Sequence, residues 1–446
     1  MKLPVEFVLS LQNAEGFSEA DFISVHHSRE QVTSIRLNPA KPISVFPQLV
    51  LTQIPWAELG YYLETRPSFT FDPLFHAGGY YVQEASSMFL EQALRQTADL
   101  SKHLKVLDLS AAPGGKSTHI QSLISADSLL VSNEVIRSRA NILKDNMVKW
   151  GSENVMVTNN DPAHFAKLQN YFDVIVVDAP CSGSGLFRRD PEAIAEWSEN
   201  NVQLCSQRQQ RILADVWPAL KQNGVLIYST CSYSEEEDEE IVKWVEDNFK
   251  AERIVLQIDP DWNIVESFGG YRFWPDKVKG EGFFLSCLRK TEGGQPAPIK
   301  SKKKLEPATK SELAIISKWV NTAGRMFIKH EQTVYAWPAA HAADFSYLLE
   351  NLRVIYSGVL VGDLLRDKLV PSHSLAMSNC RADVAMIDLK EEDAIKYLQR
   401  KDINPETNSK GWSLVAFKGQ PLGWVNVLQN RTNNYYPKEL RILKDI

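Results

Sequence analysis

Phe172-Asp-Val-Ile-Val-Val-Asp-Ala-Pro-Cys-Ser-Gly-Ser-Gly185 is the stretch whose reading decides the fold. Residues 174–177 form an unbroken β-branched run, too short for a helix and apolar enough to be buried on both faces, as in a central parallel strand. Asp178 closes that strand, and Ala179, Pro180 and Cys181 lead into a Ser-Gly loop. A carboxylate, a rigid turn and a thiol therefore stand at a strand's carboxyl end, where open α/β sheets bind their ligands. Taken alone, the same residues also suit an ordinary turn with a packed cysteine.

Outward from this run the pattern alternates. Strands are expected at residues 105–109, 129–133, 155–158, 174–177 and 224–229, with helices at 137–150 and 191–220. An acidic helix at 235–249 and strands at 253–258 and 282–288 follow. Such spacing implies right-handed crossovers and a doubly wound, Rossmann-like α/β sheet over residues 81–290. Its first helix is expected to open at 81–87 and run to 100. Residues 1–80 read as a small α-rich domain, helical at 4–11 and 18–27, with a strand at 33–39 and prolines at 39, 42, 47, 55, 67 and 73. The aromatic residues between Trp56 and Tyr81 suit either a core or the stacking of bases. A polar linker at 291–310, with Lys302, Lys303 and Lys304, is followed by a mixed module at 311–380. A β-rich module with a helix at 391–400 occupies 381–446.

Composition narrows the class. The 446 residues are 44% hydrophobic and 23% charged, as in a soluble globular chain of several domains. The chain contains no apolar run of the roughly 18 to 20 residues that a membrane span needs, and Met1 to Val5 do not begin a signal peptide. A cytoplasmic protein is expected. Five widely spaced cysteines without a Cys-x-x-Cys pair make neither a disulfide framework nor a zinc site, so no metal is expected. The net charge of −6 is unevenly spread. Residues 291–446 carry 22 Lys+Arg against 17 Asp+Glu, whereas the first 290 carry 27 against 38. A mildly basic C-terminal third permits RNA binding, though a solvated surface has the same composition.

The first strand ends at Asp108, and Ser110, Ala111, Ala112, Pro113, Gly114, Gly115 and Lys116 make the turn into a helix. Glycines there let a ligand approach the backbone, and the helix start offers free amides. A nucleotide-triphosphate loop would need glycine where Ser110 stands and would not tolerate Pro113. Glu134 closes the second strand, where an acid can accept from ribose hydroxyls. Asp161 lies past the third, placed to accept from an adenine amino group. A glycine loop and two acids at successive strand ends describe an adenosine cofactor without a pyrophosphate clamp, and S-adenosylmethionine fits best.

The strand at 224–229 runs into Thr230-Cys231-Ser232-Tyr233-Ser234. Cys231 is thus expected beside Asp178 and Cys181. With these motifs the chain resembles the RNA 5-methylcytosine methyltransferases, most closely the bacterial 16S ribosomal RNA cytosine-5 enzymes of the RsmF type. The resemblance also rests on Gln83-Glu-Ala-Ser-Ser, Gly282-Phe-Phe and Ser34-Ile-Arg36-Leu-Asn38. Gly419-Gln-Pro-Leu-Gly-Trp and Asn434-Tyr-Tyr-Pro-Lys438 resemble the family's PUA-like RNA-binding module. Coverage is strong over 81–290 and weaker at both ends.

The resemblance implies that Cys231 adds to cytosine C6, which turns C5 into a nucleophile toward the cofactor's methyl group. Cys181 would assist release, and Asp178, protonated by burial, would meet the base at N3. Lys116 is a candidate cation beside the thiolate. The implied partner is ribosomal RNA or the small ribosomal subunit, with an unpaired or flipped cytosine, a monomeric enzyme and no obligate protein partner. A DNA cytosine-5 enzyme would use the Pro-Cys thiol as nucleophile and lack the second one. An amino-group methyltransferase would want an aromatic residue where Cys181 stands. A non-catalytic RNA-binding factor with the same fold predicts decay of the thiols or cofactor acids, and all are present.

Overall fold

A computed structural model describes residues 3–28, 30–43, 51–296 and 298–445; Met1, Lys2 and Pro47 lie outside these. Its centre is a ten-stranded sheet. Phe172–Asp178 lies between Lys105–Asp108 and Leu220–Thr230, parallel to both, and Leu129–Asn133 and Val155–Thr158 continue the sheet in parallel. Phe283–Lys290 runs antiparallel beside Leu220–Thr230. Alternation divides the core: Val174 and Val176 pack on one face with Val106 and Ile227, Ile175 and Val177 on the other with Leu107 and Leu226. Strands buried on both faces are the physical reason for the continuous apolar runs.

Several elements differ from the sequence expectation. The helix expected at 191–220 is broken: Ala193–Glu196 is followed by Glu199–Val216, where Ser198 caps the second piece by accepting from the Asn201 amide at 3.1 Å. Pro218 lies in the closing 3-10 turn, Trp217–Ala219. The acidic helix begins later, at Glu239–Asn248, because Glu235–Glu237 is a separate turn and Asp238 is drawn inward to accept from Thr230. Instead of a strand over 253–258, Ala251–Arg253 pairs with Phe283–Lys290, and a hairpin at Val265–Ser267 and Gly270–Phe273 forms the sheet edge. Likewise Tyr80–Val82 is a strand and the first helix of the catalytic region is Leu90–Thr97.

The N-terminal region has its two helices, Val5–Ser10 and Glu19–Ser28, but is not mainly α. Leu51–Gln53, Gly60–Leu63, Thr33–Leu37 and Tyr80–Val82 form a four-stranded antiparallel sheet. Trp56, Tyr62 and Tyr80 are buried, so these aromatic residues serve the core rather than a stacking surface. The C-terminal part contains a five-stranded antiparallel sheet through Arg325–His330, Thr333–Pro338 and Val359–Leu365, then a four-stranded sheet with the helix Glu391–Leu398. The latter packs on the N-terminal sheet, where Ile35, Leu74 and Tyr80 share a core with Tyr397, Val415 and Leu422.

Residues 291–310 are less free than a linker of that polarity implies. Ile299 and Leu305 pack against the core, the Lys302 amide donates to Glu350, and Lys303 Nζ donates to the Leu349 carbonyl. Nor does the region 311–380 stand apart: Val354–Ser357 adds antiparallel to the edge strand Val155–Thr158 of the central sheet. Arg325 reinforces this joint with two bonds to Glu153, at 2.6 and 2.8 Å. Among the described residues no helix is long and apolar enough to cross a membrane.

Candidate active site

The carboxyl ends of the parallel strands open on a cavity of about 520 Å³. Ser110, Ala112, Glu134, Asp161, Asp178, Cys181 and Cys231 all line it. Pro113, Gly114, Gly115 and Ala111 do not; they build the turn. The Ala111 amide donates to Asn133 at 2.8 Å, Asn146 donates to the Pro113 carbonyl, and Gly114 takes φ +119°, which a side chain would resist. Glu134 is buried, with one oxygen accepting from the Ile136 amide at 2.9 Å and Arg139 3.6 Å from the other. Asp161 caps its own turn through the Ala163 amide. Both acids combine a local structural bond with a place on the cavity wall.

Lys116 points from its helix across to Asp178, Nζ to Oδ2 2.8 Å, and Ser229 donates to Asp178 Oδ1 at 2.9 Å. Burial opposes the Lys116 charge, but Asp178, with Asp108 and the Cys231 sulfur, outweighs it and holds the ammonium above its usual range. The enclosure that the sequence reading invoked for a protonated Asp178 is absent, since its side chain is 36% exposed and paired with a cation. Asp108 lies deeper. Burial pushes its carboxyl up to about 7 although Ser117 donates to it at 2.6 Å.

The two thiols meet. Cys181 Sγ and Cys231 Sγ are 3.2 Å apart, and both residues are half-buried. The hydrogen bond to Cys231, then burial and the nearby Glu237, push the Cys181 thiol well up. Neighbouring backbone fixes the loops: the Gly185 amide donates to the Cys231 carbonyl at 2.8 Å and the Gly282 amide to Gly185 at 3.0 Å.

Three features escaped the sequence reading. Arg208 and Arg211 line the cavity from the helix Glu199–Val216. Their spacing of three places both on one helix face, directly after the Asp178 loop, which is a signal the sequence does carry. Arg139 also lines the cavity and donates to the Ala112 carbonyl at 2.8 Å. A second cavity of about 450 Å³ lies where three regions meet, near Asn38 and Asn154. Their amides are engaged in holding the domains, Asn38 with Gly78 and Trp150 and Asn154 with Ser128.

The profile of the family described as 16S rRNA methyltransferase RsmB/F matches residues 96–289. Profiles of the RsmF N-terminal domain, first C-terminal domain and PUA domain match 3–85, 312–378 and 384–442. The ribosomal RNA small subunit methyltransferase F of Cronobacter sakazakii is 30% identical, with 98% of this chain and 96% of that protein aligned. The chain belongs to the RsmB/F family of 16S rRNA methyltransferases. The same enzyme of Shewanella piezotolerans is 29% identical over 94% of this chain and 93% of its own length. A methyltransferase homolog from Pyrococcus horikoshii superposes with a TM-score of 0.52 at 28% identity, over 65% of this chain and all of that one. NSun6 of the same organism, at 20% identity and a TM-score of 0.55, shares the fold over 65% of this chain and 98% of its own.

Members of the RsmB/F family depend on S-adenosylmethionine, as this chain does. The residues present fit that cofactor. The cavity wall has acids at two successive strand ends and a turn with open backbone.

Proposed function

We propose that this chain methylates C5 of a cytosine in 16S ribosomal RNA through a covalent bond between Cys231 Sγ and cytosine C6. The observation that carries the reading is the 3.2 Å approach of the two sulfurs beside the Lys116–Asp178 pair. S-adenosylmethionine would supply the methyl group and leave as S-adenosylhomocysteine; Glu134 would hold its ribose and Asp161 its adenine, and the turn from Ser110 to Gly115 would let it approach the protein backbone.

Cys231 attacks C6, and the C5–C6 π pair makes C5 nucleophilic. Negative charge building toward N3 is met by the Lys116 ammonium, which its ion pair with Asp178 holds in place. Once C5 carries the methyl group its proton must leave. Cys181, or a water it orients, takes that proton, the C5–C6 double bond re-forms and Cys231 departs as thiolate. Arg208 and Arg211, on the cavity wall, would meet the phosphates of a flipped nucleotide. The reading carries a monomer acting in the cytoplasm, with the N-terminal and PUA-like domains selecting the ribosomal RNA or small subunit.

Incubation with methyl-labelled S-adenosylmethionine and 16S rRNA or small-subunit particles, resolved on a denaturing gel, tests this. Label in cytosine C5 is expected with the unaltered protein, none with Cys231→Ala, and a protein-linked RNA band with Cys181→Ala. Normal methylation by Cys231→Ala would overturn the nucleophile. Label appearing in transfer RNA but in no ribosomal RNA would overturn the substrate.

A further inference from the structure

The run Glu235 to Glu240 looks like a solvated acidic helix start, yet two members of it, Glu237 and Asp238, are fully buried. Glu237 Oε1 accepts from the Ser182 amide at 2.8 Å and from Gln209 Nε2 at 3.3 Å. Its Oε2 accepts from Ser182 Oγ at 2.5 Å and Ser232 Oγ at 2.6 Å. Ser182 follows Cys181 and Ser232 follows Cys231. A single carboxylate thus binds the residue next to each thiol.

We propose that Glu237 is a positioning residue that clamps the two cysteine loops together and sets the spacing of the reacting sulfurs. The inference rests on the two-thiol reading above. Every group facing the carboxylate is a donor, and only an acceptor with two oxygens serves both loops at once. Among the described residues no ion pair compensates the charge; four hydrogen bonds do, which is the condition under which a buried carboxylate survives. Gln209 extends the clamp, because its Nε2 also donates to the Pro180 carbonyl at 3.1 Å. The backbone is tied as well: Tyr228 donates its hydroxyl to the Glu237 carbonyl at 2.6 Å. The Glu237 charge also contributes to pushing the Cys181 thiol up.

The test compares Glu237→Ala, Glu237→Gln and the double change Ser182→Ala with Ser232→Ala, each first titrated calorimetrically with S-adenosylhomocysteine to establish that the cofactor fold is intact. Two readouts follow: single-turnover methyl transfer, and the rate at which the thiol oxidant diamide joins Cys181 to Cys231, counted by mass spectrometry. In that oxidation both thiols lose a proton and an electron, and the diazene is reduced to the hydrazine. Glu237→Ala is expected to lower transfer about 100-fold, the scale of a misplacement near 1 Å, and to change the disulfide rate while cofactor affinity holds. Glu237→Gln should recover only part of both, since its one oxygen can still accept from Ser182 while its amide nitrogen cannot accept from Ser232. A folded Glu237→Ala with wild-type transfer and wild-type disulfide rate overturns the clamp.

If Glu237→Ala does not fold, the serine double change carries the same expectation, and wild-type behaviour there overturns it equally. Cys231→Ala in the same assay separates the two ideas. Full activity in that variant removes the two-thiol reading itself; loss of activity there, with Glu237→Ala unaffected, removes only the clamp.

Discussion

Arg36 of the N-terminal sheet donates to Thr118 Oγ1 at 2.7 Å, in the helix Gly115–Leu123 that starts at the cofactor turn. The same buried guanidinium reaches the Gly115 carbonyl at 3.3 Å, Gln83 at 2.9 Å and Ser122 at 3.2 Å, and lies over the Trp150 ring. The N-terminal domain therefore braces the turn from behind. Lysine cannot reproduce a planar fork with several donors. Arg36→Lys is expected to destabilise the protein by roughly 3 kcal/mol and to weaken S-adenosylhomocysteine binding. Urea unfolding and calorimetric titration measure the two; unchanged values in both would show that the brace is idle.

Gly185 leaves no room for a side chain. A Cβ there would lie 2.6 Å from the Gly282 carbonyl oxygen and 2.8 Å from that of Cys231, and backbone does not move aside cheaply. Gly185→Ala is expected to displace the Cys231 loop and cut methyl transfer by about 10- to 100-fold, with cofactor affinity retained. A single-turnover assay beside a cofactor titration decides it, and wild-type transfer would contradict the crowding.

Lys116→Met removes the cation beside Asp178 and, on the proposed mechanism, beside the attacking Cys231 sulfur. Methyl transfer should fall sharply at neutral pH, and the rising limb of rate against pH should move to higher pH, because the attacking anion has lost its positive neighbour. The unaltered Lys116 is held charged throughout that range by its anionic neighbours. A pH–rate profile of both proteins checks the shift; parallel profiles would confine Lys116 to structure.

Acid should loosen the fold through buried imidazoles. Burial lowers His26 and His119 from 6.5 to about 4, and both are 1% exposed. Between those values the unfolded chain binds protons that the folded one refuses, so the stability contribution is complete above pH 6.5 and lost as pH falls toward 4. The ceiling is about 3 kcal/mol for each. Thermal unfolding at pH 7.5 and 5.0 should show a lower midpoint at pH 5.0, and His119→Gln should shrink the difference.

What could be read beforehand follows from how local each signal is. The apolar run from Val174 to Val177 declares a doubly covered strand by itself, and Asp178, Cys181 and Cys231 are marked by the short motifs around them. Strands such as Gly60–Leu63 and the hairpin at Val265–Phe273 were hidden among aromatic, proline and glycine residues whose pairing partners are distant or irregular. Glu237 was masked by its five acidic neighbours, because burial depends on Ser182 and Gln209, far away in sequence. Val354–Ser357 lay within a stretch read only as a mixed module; that it completes a sheet begun some two hundred residues earlier is set by tertiary packing alone.

That added strand bears on how the chain is made. During synthesis the residues of the reaction centre, all before Phe284, emerge well ahead of Val354, so the nascent sheet passes through a stage with the edge of Val155–Thr158 uncovered. An open parallel edge is a template for association with other chains. The C-terminal region therefore acts as the closing seam of the central sheet, and a fragment ending at Lys290 would keep the candidate site residues while leaving that edge open to association.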